Sequence, residues 1–345
     1  MSMSRGGRKS SQAVTIHSVA ERAGVSIMTV SNVLSNRRNV REHTRQAVVD
    51  AVRELGYKPN IAARSLASAA VTRVGLLCGM GESGFLSAVL VGAVDATSDR
   101  GAQLIIRRLD GPEPDAMLRV VNELAQAGVG SIISPPPFCE VLSRFDLPIP
   151  MVGICAGDEL PTMPCVRVDD YAAAKAMTAY LIGLGHKHIA FIRMDQDLYA
   201  GRTRYDGYCA ALTEAGLGID PNLVAQGGHT FESGLIAAQE LLALPSRPTA
   251  IFAGNDDMAI AVISLAHRMH IDVPQQLSVA GFDDAPVAVK IWPTLTTIRQ
   301  PVSAISAEAA RQAIQIAEAM SEARSDAVYF DFELVIRDST AAPPA

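Results

Sequence analysis

The sequence predicts a small all-α head of three helices, built around a helix-turn-helix, followed by a larger α/β core with parallel sheets. Two observations carry this reading. A short N-terminal stretch has the caps and apolar spacing of helices joined by a tight turn. From Val71 onward, short Val- and Ile-rich runs alternate with amphipathic helical stretches. The chain is 49% hydrophobic and 19% charged, so both parts are expected to pack a core rather than stay disordered. Aromatic residues make up only 5%, which leaves Ala, Val, Leu and Ile to fill it.

Charge is unevenly placed. Residues 1–68 hold eleven Lys/Arg and four Asp/Glu, a net of +7 within a chain whose total is −6, so the remainder carries −13. A basic head suits a polyanion, and an acidic body is kept off it. Residues 1–13 are polar and basic with no apolar run behind them and read as a disordered basic tail, not a signal peptide. No run approaches the roughly 18 apolar residues of a membrane span, so no membrane partner is expected. The cysteines Cys78, Cys139, Cys155, Cys165 and Cys209 are scattered, odd in number and never in CxxC spacing. That argues against disulfides or a zinc site and for a reducing cytoplasm. Small buried hydrophobes account for all five.

The head is expected over residues 14–59. In VTIHSVAERAGVSIMTVSNVLSN, Thr15 caps the first helix and Val19, Ala20 and Ala23 form its inner face. Gly24 supplies the left-handed residue that ends it, and Ser26 caps the next. Val30, Val33 and Leu34 then face inward. This leaves Ile27, Met28, Ser31 and Asn32 outward on the half of the second helix that enters a major groove in such motifs. A third helix follows, with Val48, Ala51, Val52 and Leu55 in an i, i+3, i+4, i+7 stripe, ended by Gly56 and Pro59. Hydroxyls and amides at Thr15, Ser26, Thr29, Ser31, Tyr57 and Asn60 suit phosphate oxygens. Singly, each of these is more often an ordinary cap or turn.

In the body, expected from 71 to 345, the strand-like runs are TRVGLLCG, AQLIIRR, GSIISPP, PMVGIC, HIAFIR, AIFAG and LSVAGFDD. Helical stretches such as LSAVLVGAVDATSDRG and YAAAKAMTAYLIGLG lie between them, as parallel βαβ units require. Ligands of such sheets bind beyond the carboxyl ends of the strands. Ser134, Asp195, Asn255, Asp256, Asp283 and Asp284, each following a strand run, are therefore candidates. No GxGxxG follows the first strand, no P-loop occurs, and no Ser/His/Asp or Cys/His order stands out, so neither an enzyme nor a cofactor is expected. His186 and His188 lack further ligands at metal spacing, so no metal is expected either.

The run from Val14 to Leu66, TIHSVAERAGVSIMTVSNVL and then VREHTRQAVVDAVRELGYKPNIAARSLAS, resembles the head of the lac repressor/galactose repressor family. Further motifs of the same family extend the likeness to about residue 340: RVGLL, LGHKHIAFI, RYDGYCAAL, PTAIFAGNDDMAIAVI, LSVAGFDD, WPTLTTIRQP and ELVIRDST. The resemblance implies a hinge and linker over 60–70 whose Ala63 and Leu66 meet the minor groove of operator DNA. It implies a two-lobed core similar to periplasmic sugar-binding proteins, one lobe spanning about 71–170 and 300–328, the other about 171–298 and 329–340. Its effector contacts, carried over by motif, are Arg204, Asn255 and Asp283, with Phe85 and Leu86 lining the first lobe and Phe231 near Arg204 in the second. For Asn255 and Asp283, turn capping is the alternative. Trp292, the single tryptophan, either closes the cleft as a stacking surface or is a partly buried hinge aromatic. The sequence departs from the family at Ser18, where an acid is usual, and at Asn32, where arginine is frequent. Asn suits adenine where Arg reads guanine.

The function expected is that of a sequence-specific transcriptional regulator. It would bind double-stranded operator DNA as a homodimer and repress carbohydrate-utilisation genes until a sugar releases it. Two alternatives stand beside it: a regulator that needs a purine or other metabolite as corepressor, and a cytoplasmic solute-binding protein without a DNA role.

Overall fold

The structure is a computed structural model that describes residues 15–34, 41–55, 71–79, 83–157, 163–318 and 327–344. It falls into two compact units, divided between Val71 and Thr72. Among the described residues, no helix is long and apolar enough to cross a membrane.

The first unit holds α1 (Ile16–Ala23), α2 (Ile27–Leu34) and α3 (Glu42–Leu55). At the start of α1 the Thr15 N–H donates to Ser18 Oγ at 3.4 Å. Gly24 ends the helix at φ 64°, a conformation costly for a residue with a Cβ. Ser26 Oγ accepts from the Thr29 N–H at 3.2 Å and so caps α2. Val19, Val30 and Val48, one from each helix, are fully buried and meet with Ala20, Val33 and Ala51 in one small core.

The second unit is two α/β lobes. Lobe one contains β1 (Arg73–Cys78), α4 (Gly84–Arg100), β2 (Gln103–Arg108), α5 (Pro114–Gln126), β3 (Ser131–Ser134), α6 (Phe138–Leu142), β4 (Met151–Ile154) and β5 (Cys165–Arg167). The chain then crosses into lobe two for α7 (Asp170–Gly183), β6 (Ile189–Arg193), α8 (Tyr199–Glu214), β7 (Val224–Gln226), α9 (Phe231–Leu242), β8 (Ala250–Ala253), α10 (Asp256–Arg268), β9 (Ser278–Asp283) and β10 (Thr296–Arg299). It returns to lobe one for α11 (Val302–Ala317) and β11 (Ala327–Tyr329), and crosses a third time to β12 (Glu333–Val335).

The lobe-one sheet has the order β11-β5-β4-β3-β1-β2 and the lobe-two sheet β12-β10-β9-β8-β6-β7. All pairs are parallel except β10 with β12. Central strands such as β3 and β8 are buried at every residue, as strands covered by helices on both faces must be. In each sheet the winding reverses once, between β1 and β3 in lobe one and between β6 and β8 in lobe two. A crevice opens outside the carboxyl ends of the strands at such a reversal.

Candidate functional site

Two regions carry candidate residues. In the first unit, α2 turns Ile27 and Met28 outward, 39% and 73% exposed, because the opposite face is committed to Val30 and Val33. Thr15 and Ser26 stay exposed beside them, and Thr29 is partly so. Arg22 pairs with Glu54 at 2.5 Å on the surface. The side chains of Ser31 and Asn32, and all of Tyr57, Asn60, Ala63 and Leu66, lie outside the described residues.

In the second unit, the two reversal points face one cleft between the lobes. Its inner chamber, about 130 Å³, is lined from lobe one by Ser83, Phe85, Pro136 and Cys155, and from lobe two by Arg204, Asn255 and Asp283, with Gln300 on the chain returning to lobe one. An outer chamber of about 670 Å³ adjoins it, with Leu86, Pro137 and Phe138 on one side and His229, Phe231 and Asp257 on the other.

Arg204 projects from α8 and is buried. Its Nε donates to Asp170 Oδ1 at 2.7 Å and its Nη1 to the Gly254 carbonyl at 2.7 Å. The guanidinium lies 3.5 Å from the centre of the Phe282 ring, and Nη1 stands 3.8 Å from Asp283 Oδ1. Salt bridge, carbonyl and ring together fix a long side chain that would otherwise be mobile. Asn255 follows β8, caps α10 by accepting from the Met258 N–H at 2.9 Å, and donates through Nδ2 to the His229 carbonyl at 3.0 Å. It thus caps a helix and also lines the inner chamber.

Asp283 ends β9 at φ 119°, rare for a residue with a side chain. Gln300 donates to its Oδ1 at 2.5 Å. Burial pushes the carboxyl up to about 6, while Arg204 and the Gln300 hydrogen bond pull the other way. Asp256 is buried behind it, accepting from Thr297 Oγ1 at 2.6 Å and the Ala285 N–H at 2.7 Å, and burial holds its carboxyl well above the ordinary range.

Several expected residues fall elsewhere. Trp292 lines neither chamber: the β9–β10 connection leaves it on the surface, 74% exposed. Phe231 and Arg204 stand in different chambers, because Phe231 begins α9 at the rim while Arg204 sits a turn inside α8. Asp195 is exposed and accepts from the Asp197 N–H. Ser134 is buried at the end of β3 outside the cleft lining. Asp284 is held by Arg299 and Arg337, each at 2.6 Å. His186 is a core residue, bonded to Thr249 Oγ1 at 2.9 Å and the Ala341 carbonyl at 2.9 Å.

The sequence reading missed Gln300, His229, Asp257, Cys155 and Asp170. Asp257 directly follows two residues already singled out, and Asp170 follows a strand too short to show a pattern. Cys155 sits at φ 53° just past β4, and burial drives its thiol well above the ordinary value, as expected of an inert side chain.

Residues 15–60 match the bacterial regulatory proteins of the lacI family, and residues 178–340 match the periplasmic binding protein-like domain. The ribose operon repressor of Escherichia coli (strain K12) is 33% identical over 295 residues, 83% of this chain and 88% of that protein. The HTH-type transcriptional repressor PurR of Erwinia tasmaniensis is 35% identical over 294 residues, 83% and 85% of the two chains. A solved complex of the transcriptional regulator CelR with cellobiose superposes with a TM-score of 0.71 at 28% identity, covering 94% of this chain and 99% of that one. A helix-turn-helix unit followed by a two-lobed effector-binding domain defines a DNA-binding transcriptional regulator and not an enzyme. The chain belongs to the lacI family of bacterial regulatory proteins.

Proposed function

We propose that this regulator represses carbohydrate-utilisation genes as a homodimer and leaves its operator when a sugar binds between the lobes. The observation that carries the reading is the convergence of Arg204, Asn255, Asp283 and Gln300 on one chamber beside the Phe85 ring. Vicinal hydroxyls need such paired donors and acceptors, and ring C–H groups need an apolar face. The ribose repressor and the cellobiose complex among its relatives support a sugar. On this account Arg204, Asn255 and Asp283 hold the effector, with Phe85, Leu86 and Phe231 around it. Thr15, Ser26 and Thr29 contact phosphates, as do Tyr57 and Asn60. Ile27, Met28, Ser31 and Asn32 face the major groove, and Ala63 and Leu66 face the minor groove.

A second reading, in which a purine is required for DNA binding, draws on the 35% identity with PurR. Gel shifts of genomic fragments with the purified protein, in sugars and in purine bases, separate the two. Loss of the shifted band with a sugar is the outcome expected. A band that forms only when hypoxanthine or guanine is added overturns the sugar reading.

A further inference from the structure

The size and charge of the cleft narrow the effector further, provided that it is a sugar held at Asp283 as proposed above. The polar groups that would orient a ligand are gathered in the inner chamber, yet that chamber measures only about 130 Å³. Sites for small molecules usually enclose roughly 300–1,000 Å³. A ligand anchored at Asp283 therefore extends outward, past a rim of Ser83, Phe85, Pro136, His229 and Asp257 that the two chambers share. The outer chamber, about 670 Å³, has room for a second ring. Part of its wall is apolar: Pro135, Pro136, Pro137 and Phe138 from lobe one and Phe231 from lobe two. Flat apolar surfaces of this kind suit the C–H face of a sugar or the face of an aryl group.

Charge selects in the same direction. Asp257 and Asp283 line the inner chamber, and Asp110 and Glu232 line the outer one. Arg204, the cation at the inner end, is already matched by Asp170 at 2.7 Å. Among the described residues, His229 is the other basic side chain on these walls. A phosphate or carboxylate entering here would lose water and meet like charge.

We propose that the outer chamber is a second subsite and that the effector is an uncharged two-ring glycoside, a disaccharide or an aryl glycoside. One ring reaches Arg204 and Asp283, and the other packs against Phe231 and the proline wall. Phosphorylated sugars are rejected by the carboxylates.

Titration calorimetry on the full-length protein tests this with matched probes: free hexoses, their disaccharides, their p-nitrophenyl glycosides and their 6-phosphates. The best two-ring probe should bind about tenfold or more tighter than its parent hexose, the gain of one well-packed apolar group, and the 6-phosphates more weakly than the hexoses. Phe231→Ala should erase that gain, costing the two-ring probe about tenfold more affinity than it costs the hexose. Phe231→Leu, which keeps the volume, should lose part of it if the alanine variant folds poorly. A hexose that binds as tightly as any two-ring probe, or a Phe231→Ala loss shared equally by both, overturns the second subsite and leaves the sugar reading intact. A 6-phosphate that binds as tightly as its hexose overturns the charge argument. Binding of purine bases with none of these sugars, or sugar binding indifferent to Asp283→Asn, overturns both readings.

Discussion

Asp283 lines the inner chamber from the end of β9. Its place at the end of the run LSVAGFDD made it a candidate, but its backbone, at φ 119°, could not be foreseen. Conformations of this kind cost of order 1–3 kcal/mol and persist only where the surroundings over-determine them. Here the next residue, Asp284, is clamped by Arg299 and Arg337, so the turn that aims Asp283 is fixed from outside the cleft. Asp283→Asn keeps the shape but removes the charged acceptor. It should weaken effector binding about 10- to 100-fold, measurable by calorimetry, because hydrogen bonds to a charged group are worth roughly 1.5–3 kcal/mol. The pH dependence has a definite sign. With the carboxyl raised to about 6, the charged acceptor is present above that pH and lost below it. Effector affinity should therefore fall by up to about tenfold per unit as pH drops below about 6, and Asp283→Asn should flatten that profile. Stability moves oppositely: the native state holds this proton more tightly than the unfolded chain, so the group's contribution is full near pH 4 and lost as pH rises through about 6.

Among the elements, α4 and α11 define lobe one most tightly. Ser306 Oγ donates to the Val89 carbonyl at 2.6 Å and Ser303 Oγ to the Ala88 carbonyl at 3.2 Å. A Cβ at Gly92 would lie 2.1 Å from the Ser303 carbonyl oxygen. Gly92→Ala should thus destabilise the core by about 1–3 kcal/mol in urea unfolding with little change in slope, since backbone on both sides must shift. The same helix starts at the cleft, where Gly84 leaves room for Ala285 and Pro286 of lobe two. Across the lobes, Glu140 of α6 accepts from the Tyr199 N–H at 3.0 Å and so caps α8, the helix that carries Arg204. None of these contacts has a signature in sequence, because each joins residues far apart in the chain. What was legible follows the same logic. Strands β1, β2, β3, β4, β6, β8 and β9 sit within apolar runs that announced them. The three-residue β5, β7 and β11 are too short to show a period, and β10, as TTIR, breaks the apolar pattern. Asn255 and Asp283 came from their places after strand runs and from motif likeness, Arg204 from motif likeness alone. Gln300 and His229 did not, since they enter the cleft from segments whose local pattern is that of an ordinary crossing or turn.

For the molecule as a whole, a basic head joined to an acidic body makes binding to a polyanion depend on released counterions. Operator affinity should fall by about 10³-fold or more between about 50 and 200 mM salt if each dimer neutralises six or more phosphates. A nearly flat salt response in a filter-binding assay would contradict that. For a ligand between the lobes to reset the grip on DNA, as proposed above, it must have different affinity for two lobe arrangements. Anisotropy of a labelled operator duplex, titrated with wild-type protein and with Asp283→Asn at a fixed saturating concentration of the best cleft sugar, measures this coupling directly. Equal operator affinity is expected without sugar and, at a sugar concentration that just saturates the wild type, a loss of about 5- to 150-fold for wild type and a clearly smaller loss for the variant. Equal release of both proteins at the same sugar concentration, or no release of wild type by a sugar that fills the cleft, would contradict it.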